Sequence, residues 1–253
     1  MGSMSQIAAA RPVAVFTGRN SLLDRYFYFA MSLLMAGVVV FGFSHTINHN
    51  LLSPPLPPPG ILWVHSVVFS GWVAFLIFQS ALVRTRNVRV HRMTGWFGAG
   101  LGAVMIPLGI ATAIVMTHFQ MHRLHQVLFH GLPLDGFLIV PLFSIVVFGT
   151  FFVLAVMWRK KPELHRRCLV LATCGLLSAA FARFPYLGEH HSFFIGVDLL
   201  ILLGVVRDLL VNRRVHRIYL AALPALVVTQ IVVIAIWASQ AHWWLHIADG
   251  IIG

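Results

Sequence analysis

Three pairs of histidines repeat one spacing in this chain of 253 residues: His45/His49, His118/His122 and His242/His246. Four residues is about one helical turn, so both imidazoles of each pair are expected on the same side of a helix. Neutral imidazole binds zinc, copper and iron, and two rings one turn apart can share the first shell of one ion. The pattern points to a transition metal (Zn, Cu or Fe), and His65, at a depth close to that of His45, completes a site on the first two helices. A second reading is haem b, which takes single histidines from facing helices, here His45 and His65. The third is a set of hydrogen-bonded interfacial histidines with no cofactor. Asp135, Glu189 and Asp249 are the carboxylates available as oxygen ligands or as partners that fix a tautomer.

The elements that must position these residues follow from composition. With 59% hydrophobic and only 10% charged residues, the chain reads as an all-α polytopic membrane protein. Crossing a bilayer takes about 20 helical residues, and seven apolar runs reach that length or come close to it. They extend from Arg25 to Ile47, Ile61 to Val83, Trp96 to Met121, Phe137 to Trp158, Cys168 to Tyr186, Phe193 to Val211 and Ile218 to Ala241. The resulting organisation is a cytoplasmic N-terminal segment (1–24, its first three residues a cloning scar), a seven-helix transmembrane domain (25–241) and an outer C-terminal helix end (242–253). Cys168 and Cys174 read as packing residues.

A net charge of +11 on a soluble surface would suggest nucleic acid, but its distribution here is a topology signal and implies no nucleic-acid partner. Sixteen of the 18 Lys and Arg residues lie at alternate ends of the runs, leaving Arg123 and Arg183 on the other side. The N-terminus is therefore expected inside and the C-terminus outside, and eleven of the 14 histidines fall at or near the outer face. Ser53 to Gly60, S-P-P-L-P-P-P-G, reads as a stiff extended connector. The stretch from His122 to Gly136 reads as a short interfacial helix.

Two further signals are ionisable. V-R-V-H-R, E-L-H-R-R and R-R-V-H-R stand before the third, fifth and seventh runs and supply a His-Arg step at each inner helix entrance. Such basic residues reach anionic head groups and fix orientation. The sharper alternative is an inner phosphate or quinone head-group site, for which the inner loops offer no acid or aromatic cluster. Within the spans, Arg183 and Asp198 fall at similar depth and are expected to form a buried ion pair, either a helix lock or an acid with its counter-charge beside a substrate or proton path. Gln79 and Gln230 read as interhelical hydrogen bonds. Lys160 and Lys161, the only lysines, lie in a loop, which excludes a retinal Schiff base, and no Walker loop, dinucleotide fingerprint or H-E-x-x-H helix occurs.

The run from His65 to Gln79 (H-S-V-V-F-S-G-W-V-A-F-L-I-F-Q), H-R-M-T-G from His91, P-E-L-H-R-R from Pro162, A-A-F-A-R-F-P ending at Pro185 and the R-R-V-H-R run resemble an uncharacterised family of bacterial multi-pass inner-membrane proteins. The resemblance covers roughly residues 60 to 220 and implies a small helical bundle in a bacterial inner membrane, without an assigned activity. Of the outer histidines only His65 belongs to its pattern. H-W-W-L-H from His242 is also similar to the H-x-x-x-H of seven-helix zinc hydrolases such as alkaline ceramidases and the progestin and adiponectin receptors. There the motif opens the last helix, whereas here it is expected to close it.

These observations leave four functional expectations. One is a metal-dependent membrane enzyme, hydrolase or oxidoreductase, acting on a hydrophobic substrate. The others are a haem-binding electron-transfer protein, a cation or proton transporter gated by Arg183 and Asp198, and a subunit of a larger membrane complex.

Overall fold

A computed structural model describes residues 22–253; the expected N-terminal segment, but for its last three residues, lies outside the described residues. The described chain is nearly all helical. Its helices are α1 (Leu22–Ser44), α2 (Gly60–Arg84), α3 (Val88–His122), α4 (Leu134–Phe137), α5 (Ile139–Met157), α6 (Pro162–Leu176), α7 (Ser178–Phe181), α8 (Pro185–Glu189), α9 (Phe193–Asn212), α10 (Arg217–Ala238) and α11 (His242–Ile252). Six stretches are long and apolar enough to cross a membrane: α1, α2, α3, Leu134–Met157 across α4 and α5, Pro162–Phe181 across α6 and α7, and α10. Their outward faces are bare and apolar, as at Val40, Val67, Val104, Val146 and Val228. This is a multi-pass membrane protein whose outer surface suits lipid. The seventh expected run forms α9, 20 residues long, which differs from the six in carrying Asp198, Arg207 and Asp208.

Helix α6 is the centre of the bundle. Arg167, Cys168 and every residue from Val170 to Gly175 are buried, the pattern of a helix enclosed on all sides. Both cysteines are free and buried there. Trp72 of α2 reaches across to donate its indole N–H to Thr173 Oγ1 at 3.3 Å.

At the end of the bundle where α2 meets α3, α5 meets α6 and α9 meets α10, a charge network holds four helices. Asp208 is completely buried and accepts from Arg167 Nη2 at 2.5 Å and Nε at 3.0 Å. It also accepts from Arg207 Nη1 at 2.8 Å, Asn212 Nδ2 at 3.2 Å and the His216 backbone N–H at 3.2 Å. Arg207 pairs with Asp24 of α1, and Glu163 pairs with Arg166 and Arg167, each at 2.6 Å. Three arginines balance three carboxylates, and Arg166 and Arg207 lie over the Tyr28 ring. A buried ion is tolerable only when paired and hydrogen-bonded, and here the fork of Arg167 matches the carboxylate with two bonds.

The opposite end differs from expectation in three places. α1 stops at Ser44 and gives way to a π-helical turn, Asn48–Leu52, ahead of the proline connector. The stretch from His122 to Gly136 forms, instead of an interfacial helix, a two-stranded antiparallel hairpin of β1 (Leu128–Phe129) and β2 (Leu132–Pro133). Its two turn residues, His130 and Gly131, have φ of 48° and 83°, the positive values a tight hairpin turn needs and glycine supplies without strain. Trp237 and Trp244 hold the hairpin and α4 by donating to the carbonyls of Pro133 and Gly136, each at 2.9 Å. The third difference is the end of the chain, where H-W-W-L-H opens a separate helix. α11 buries Trp244, Ala248 and Ile252, one face at a spacing of four, and leaves His242 and His246 exposed.

Candidate functional site

The three histidine pairs fare differently. His118 and His122, on the last turns of α3, bring their ring centroids to 4.4 Å. α1 ends at Ser44, just before His45, and His49 lies in the π-helical turn. His45 Nδ1 bonds the Phe41 carbonyl at 2.8 Å, and His49 Nδ1 lies 3.2 Å from Asn50 Oδ1. His242 and His246 share a face of α11 but point away from the bundle. His65 stacks on Phe69 of its own helix, with centroids 3.9 Å apart and Nδ1 buried without a partner. Neighbouring backbone carbonyls hold two more rings, His190 through Tyr186 and His191 through His130. Among the described residues no three His, Cys, Asp or Glu side chains are grouped to hold a metal ion.

Arg183 and Asp198 do not pair. Arg183 donates to Thr46 Oγ1 at 3.1 Å and to the Ala179 carbonyl and lies 4.3 Å from the centre of the Phe43 ring. Asp198 instead accepts from Gln230 Nε2 at 3.1 Å. The expected pairing assumed one straight helix from Cys168 to Tyr186. The helix breaks at Leu177 and again after Phe181, ahead of Pro185, whose ring disfavours helix at the preceding residue. Arg183 thereby turns toward the end of α1.

A cavity of about 490 Å³ lies at the basic end between α2, α3, α5 and α6. That is in the range of small-molecule sites. The cations Arg92, Arg159 and Lys160 line it together with a polar layer of Gln79, His91 and His165 and an apolar wall of Trp72, Phe152, Ala99 and Leu169. The polar side chains lie near the helix ends. His91 and His165 sit one turn after the starts of α3 and α6, and Gln79 about 7 Å before the end of α2 at 1.5 Å per residue. Phe75 packs over Gly98, where any side chain would strike its ring, so the two helices approach closely and leave a flat wall beside the cavity.

The polar layer has fixed hydrogen-bond roles. Thr94 donates its hydroxyl proton to the Val90 carbonyl at 2.8 Å, so it can only accept from Gln79, whose Nε2 lies 2.7 Å away. The amide is thereby oriented, and Gln79 Oε1 is left buried without a partner. His165 Nδ1 lies 2.8 Å from the Ala155 carbonyl, which can only accept, so Nδ1 carries the proton. The neutral ring then presents Nε2 as a lone pair with no hydrogen bond among the described residues. His91 contributes a buried Nδ1 with no hydrogen-bond partner among the described residues, and its ring centroid is 6.4 Å from that of His165.

Sequence reasoning assigned this end to lipid anchoring and set aside a head-group site for want of an aromatic cluster in the loops. The aromatic side chains come from the spans instead: Trp72, Phe75, Trp96 and Phe152. The His-Arg repeat was the available signal, since two of its three histidines, His91 and His165, meet here. The third, His216, accepts the Ile218 N–H and starts α10. No protein-family model, curated protein or solved structure matches the chain.

Proposed function

We propose that this chain is a seven-span protein of a bacterial cytoplasmic membrane, basic end and N-terminus inside and C-terminus outside, that binds the polar end of a membrane-dissolved amphiphile in its inner cavity. One observation carries the reading: a cavity of about 490 Å³ lined by the cations Arg92, Arg159 and Lys160, by the polar side chains of Gln79, His91 and His165, and by the apolar side chains of Trp72, Phe75 and Phe152. The passage from the charged and polar helix ends to the apolar wall runs in the same direction as that from lipid head group to acyl chain. The charge asymmetry supports the orientation. α9 counts as the seventh span because Arg207 and Asp208 are neutralised by partners inside the bundle.

The test is native mass spectrometry of the protein extracted in mild detergent, beside Ala99→Trp, which fills the cavity. A bound amphiphile in the parent and its loss in the variant, with unchanged thermal unfolding, is the expected result; equal occupancy of both removes the proposal. Labelling of single cysteines placed at Lys160 and His125 tests the orientation, only the second being accessible from the outside.

A second reading, a transition-metal site, is favoured by the His118/His122 approach alone. Among the described residues no third His, Cys, Asp or Glu joins them, and zinc or copper titration of His118→Ala against the parent tests it.

A further inference from the structure

The charged side chains that line this cavity are all cations, and we propose that the amphiphile held there carries an anionic phosphate head group, bound in preference to a zwitterionic or a carboxylate one. The proposal rests on the amphiphile reading above and adds the charge of the ligand. It follows from where the chain spends its carboxylates, of which there are seven. Asp24, Glu163 and Asp208 are the three at the basic end, and Arg166, Arg167 and Arg207 engage all of them. Asp135, Glu189 and Asp249 lie toward the opposite end, Asp198 accepts from Gln230, and residues 1–21 contain no acid. Arg92, Arg159 and Lys160 therefore line the cavity without a carboxylate to balance any of them among the described residues.

The remaining geometry favours an anion as well. Arg159 is held against the wall, its guanidinium over Trp96 at 5.4 Å from the ring centre and Nη1 donating to the Val156 carbonyl at 3.2 Å. A guanidinium has five N–H donors in a planar fork that matches phosphate oxygens. α3 and α6 both begin beside the cavity, through His91 and Arg92 of the one and Pro162 and His165 of the other, so the positive ends of two helix dipoles add to the same field. A phosphate monoester brings a charge of about −1.5 to −2 and three acceptor oxygens, enough to answer more than one cation, whereas a carboxylate brings one charge. A zwitterionic head group adds an ammonium to a lining that has no acid to receive it. Trp72, Phe75 and Phe152 supply the apolar wall for the adjoining tail, and basic pockets between membrane helices on the cytoplasmic side suit such head groups.

The experiment uses the full chain in an uncharged maltoside detergent and a tail-labelled fluorescent phosphatidate, displaced by dioleoyl phosphatidate, dioleoyl phosphatidylcholine, oleate or inorganic phosphate, with empty micelles correcting for partition. Phosphatidate is expected to displace the label at least about tenfold more effectively than phosphatidylcholine or oleate, and inorganic phosphate to be weaker by at least about a hundredfold for want of a tail. Arg92→Gln with Arg159→Gln, checked for parental thermal unfolding, is expected to lose most of the preference for phosphatidate. Arg213→Gln with Arg214→Gln removes the same charge at the same end but outside the lining, and is expected to keep it. Phosphatidylcholine or oleate as effective as phosphatidate on the parent protein overturns the proposal and needs no variant; equal loss in the two double variants overturns it in favour of general surface charge. Inorganic phosphate as effective as phosphatidate assigns the cavity to a free anion and overturns the lipid. Lack of preference for phosphatidate, with an amphiphile still found in the parent and absent from Ala99→Trp, overturns the phosphate while the amphiphile reading stands; absence of any amphiphile overturns both.

Discussion

Two polar regions share the basic end of this bundle and one turn of α6 serves both. Glu163, Arg166 and Arg167 face α1, α9 and α10, while Pro162, His165 and Leu169 face the cavity, as a period of 3.6 residues divides them. On the first face the charges are matched: Asp208 receives five hydrogen bonds and three arginines answer three carboxylates, while Arg166 Nε and Arg207 Nε are buried with no hydrogen-bond partner among the described residues. On the second, Arg92, Arg159 and Lys160 line the cavity with Gln79, His91 and His165 and with no carboxylate among them. The difference teaches how to tell a structural polar cluster from a receptive one in a membrane protein. A closed set of paired charges fastens helices, and an open set of cations without carboxylates borders the cavity.

The comparison breaks first at Asp208. Removing its carboxylate leaves Arg167 buried with only Glu163 to balance it, and breaking one side of a buried pair typically costs about 3–5 kcal/mol. Asp208→Ala is expected to lower the thermal midpoint in detergent by far more than any change in the cavity lining. Arg167→Lys is expected to fall in the same direction, because an ammonium cannot reproduce the two-pronged bond. Parental stability of Asp208→Ala would mean that the matched set fastens nothing.

Which of these regions was legible in the chain depended on the range of the interaction. Span positions are written locally, in runs of about 20 apolar residues, and the structure keeps six of them as apolar helices and the seventh, α9, as a helix of the right length. Arg167 and Asp208 are separated by 41 positions, and no local pattern joins them; counted as loop charge, Arg167 and Arg207 gave a topology signal and hid a core. Arg183 and Asp198 were matched by depth along ideal helices, which fails where α6 breaks ahead of Pro185. Between His45 and His49 the helix type changes as well, from the end of α1 to the π-helical turn. His118/His122 lies wholly within α3, and there the spacing translated into a 4.4 Å approach. The cavity needed four helices to form, and only the His-Arg repeat foreshadowed it.

The open set makes the opposite claim about stability. Gln79→Leu deletes a buried acceptor that has no partner, and Thr94 keeps its own bond to the Val90 carbonyl, so no new orphan is created. The expected cost is about 1 kcal/mol or less, the net value of the lost bond to Thr94. Its unfolding midpoint, measured beside that of Asp208→Ala, sets the two regions on one scale. A loss from Gln79→Leu as large as that from Asp208→Ala would make both regions structural and end the distinction.

The smallest effect tests the seam between closed set and solvent, at His216 just before α10. Burial lowers its pKa, the positive charge of Arg167 adds to that, and the carboxylate of Asp208 opposes it. The neutral ring is also the one that works, because Nδ1 accepts the Ile218 N–H at 3.2 Å and a protonated ring has no lone pair to offer. A group that is harder to protonate when folded contributes fully above its ordinary pKa of 6.5 and loses that contribution as pH falls below it toward the folded value. His216→Asn keeps a good capping residue that does not titrate. The stability of the parent relative to His216→Asn is therefore expected to be level above pH 7 and to decline as pH falls below about 6.5, by less than the roughly 1 kcal/mol that a cap is worth. Taking the difference cancels the titration of the carboxylates common to both proteins. A difference that stays level to pH 5 would show that His216 joins the network through its backbone N–H alone.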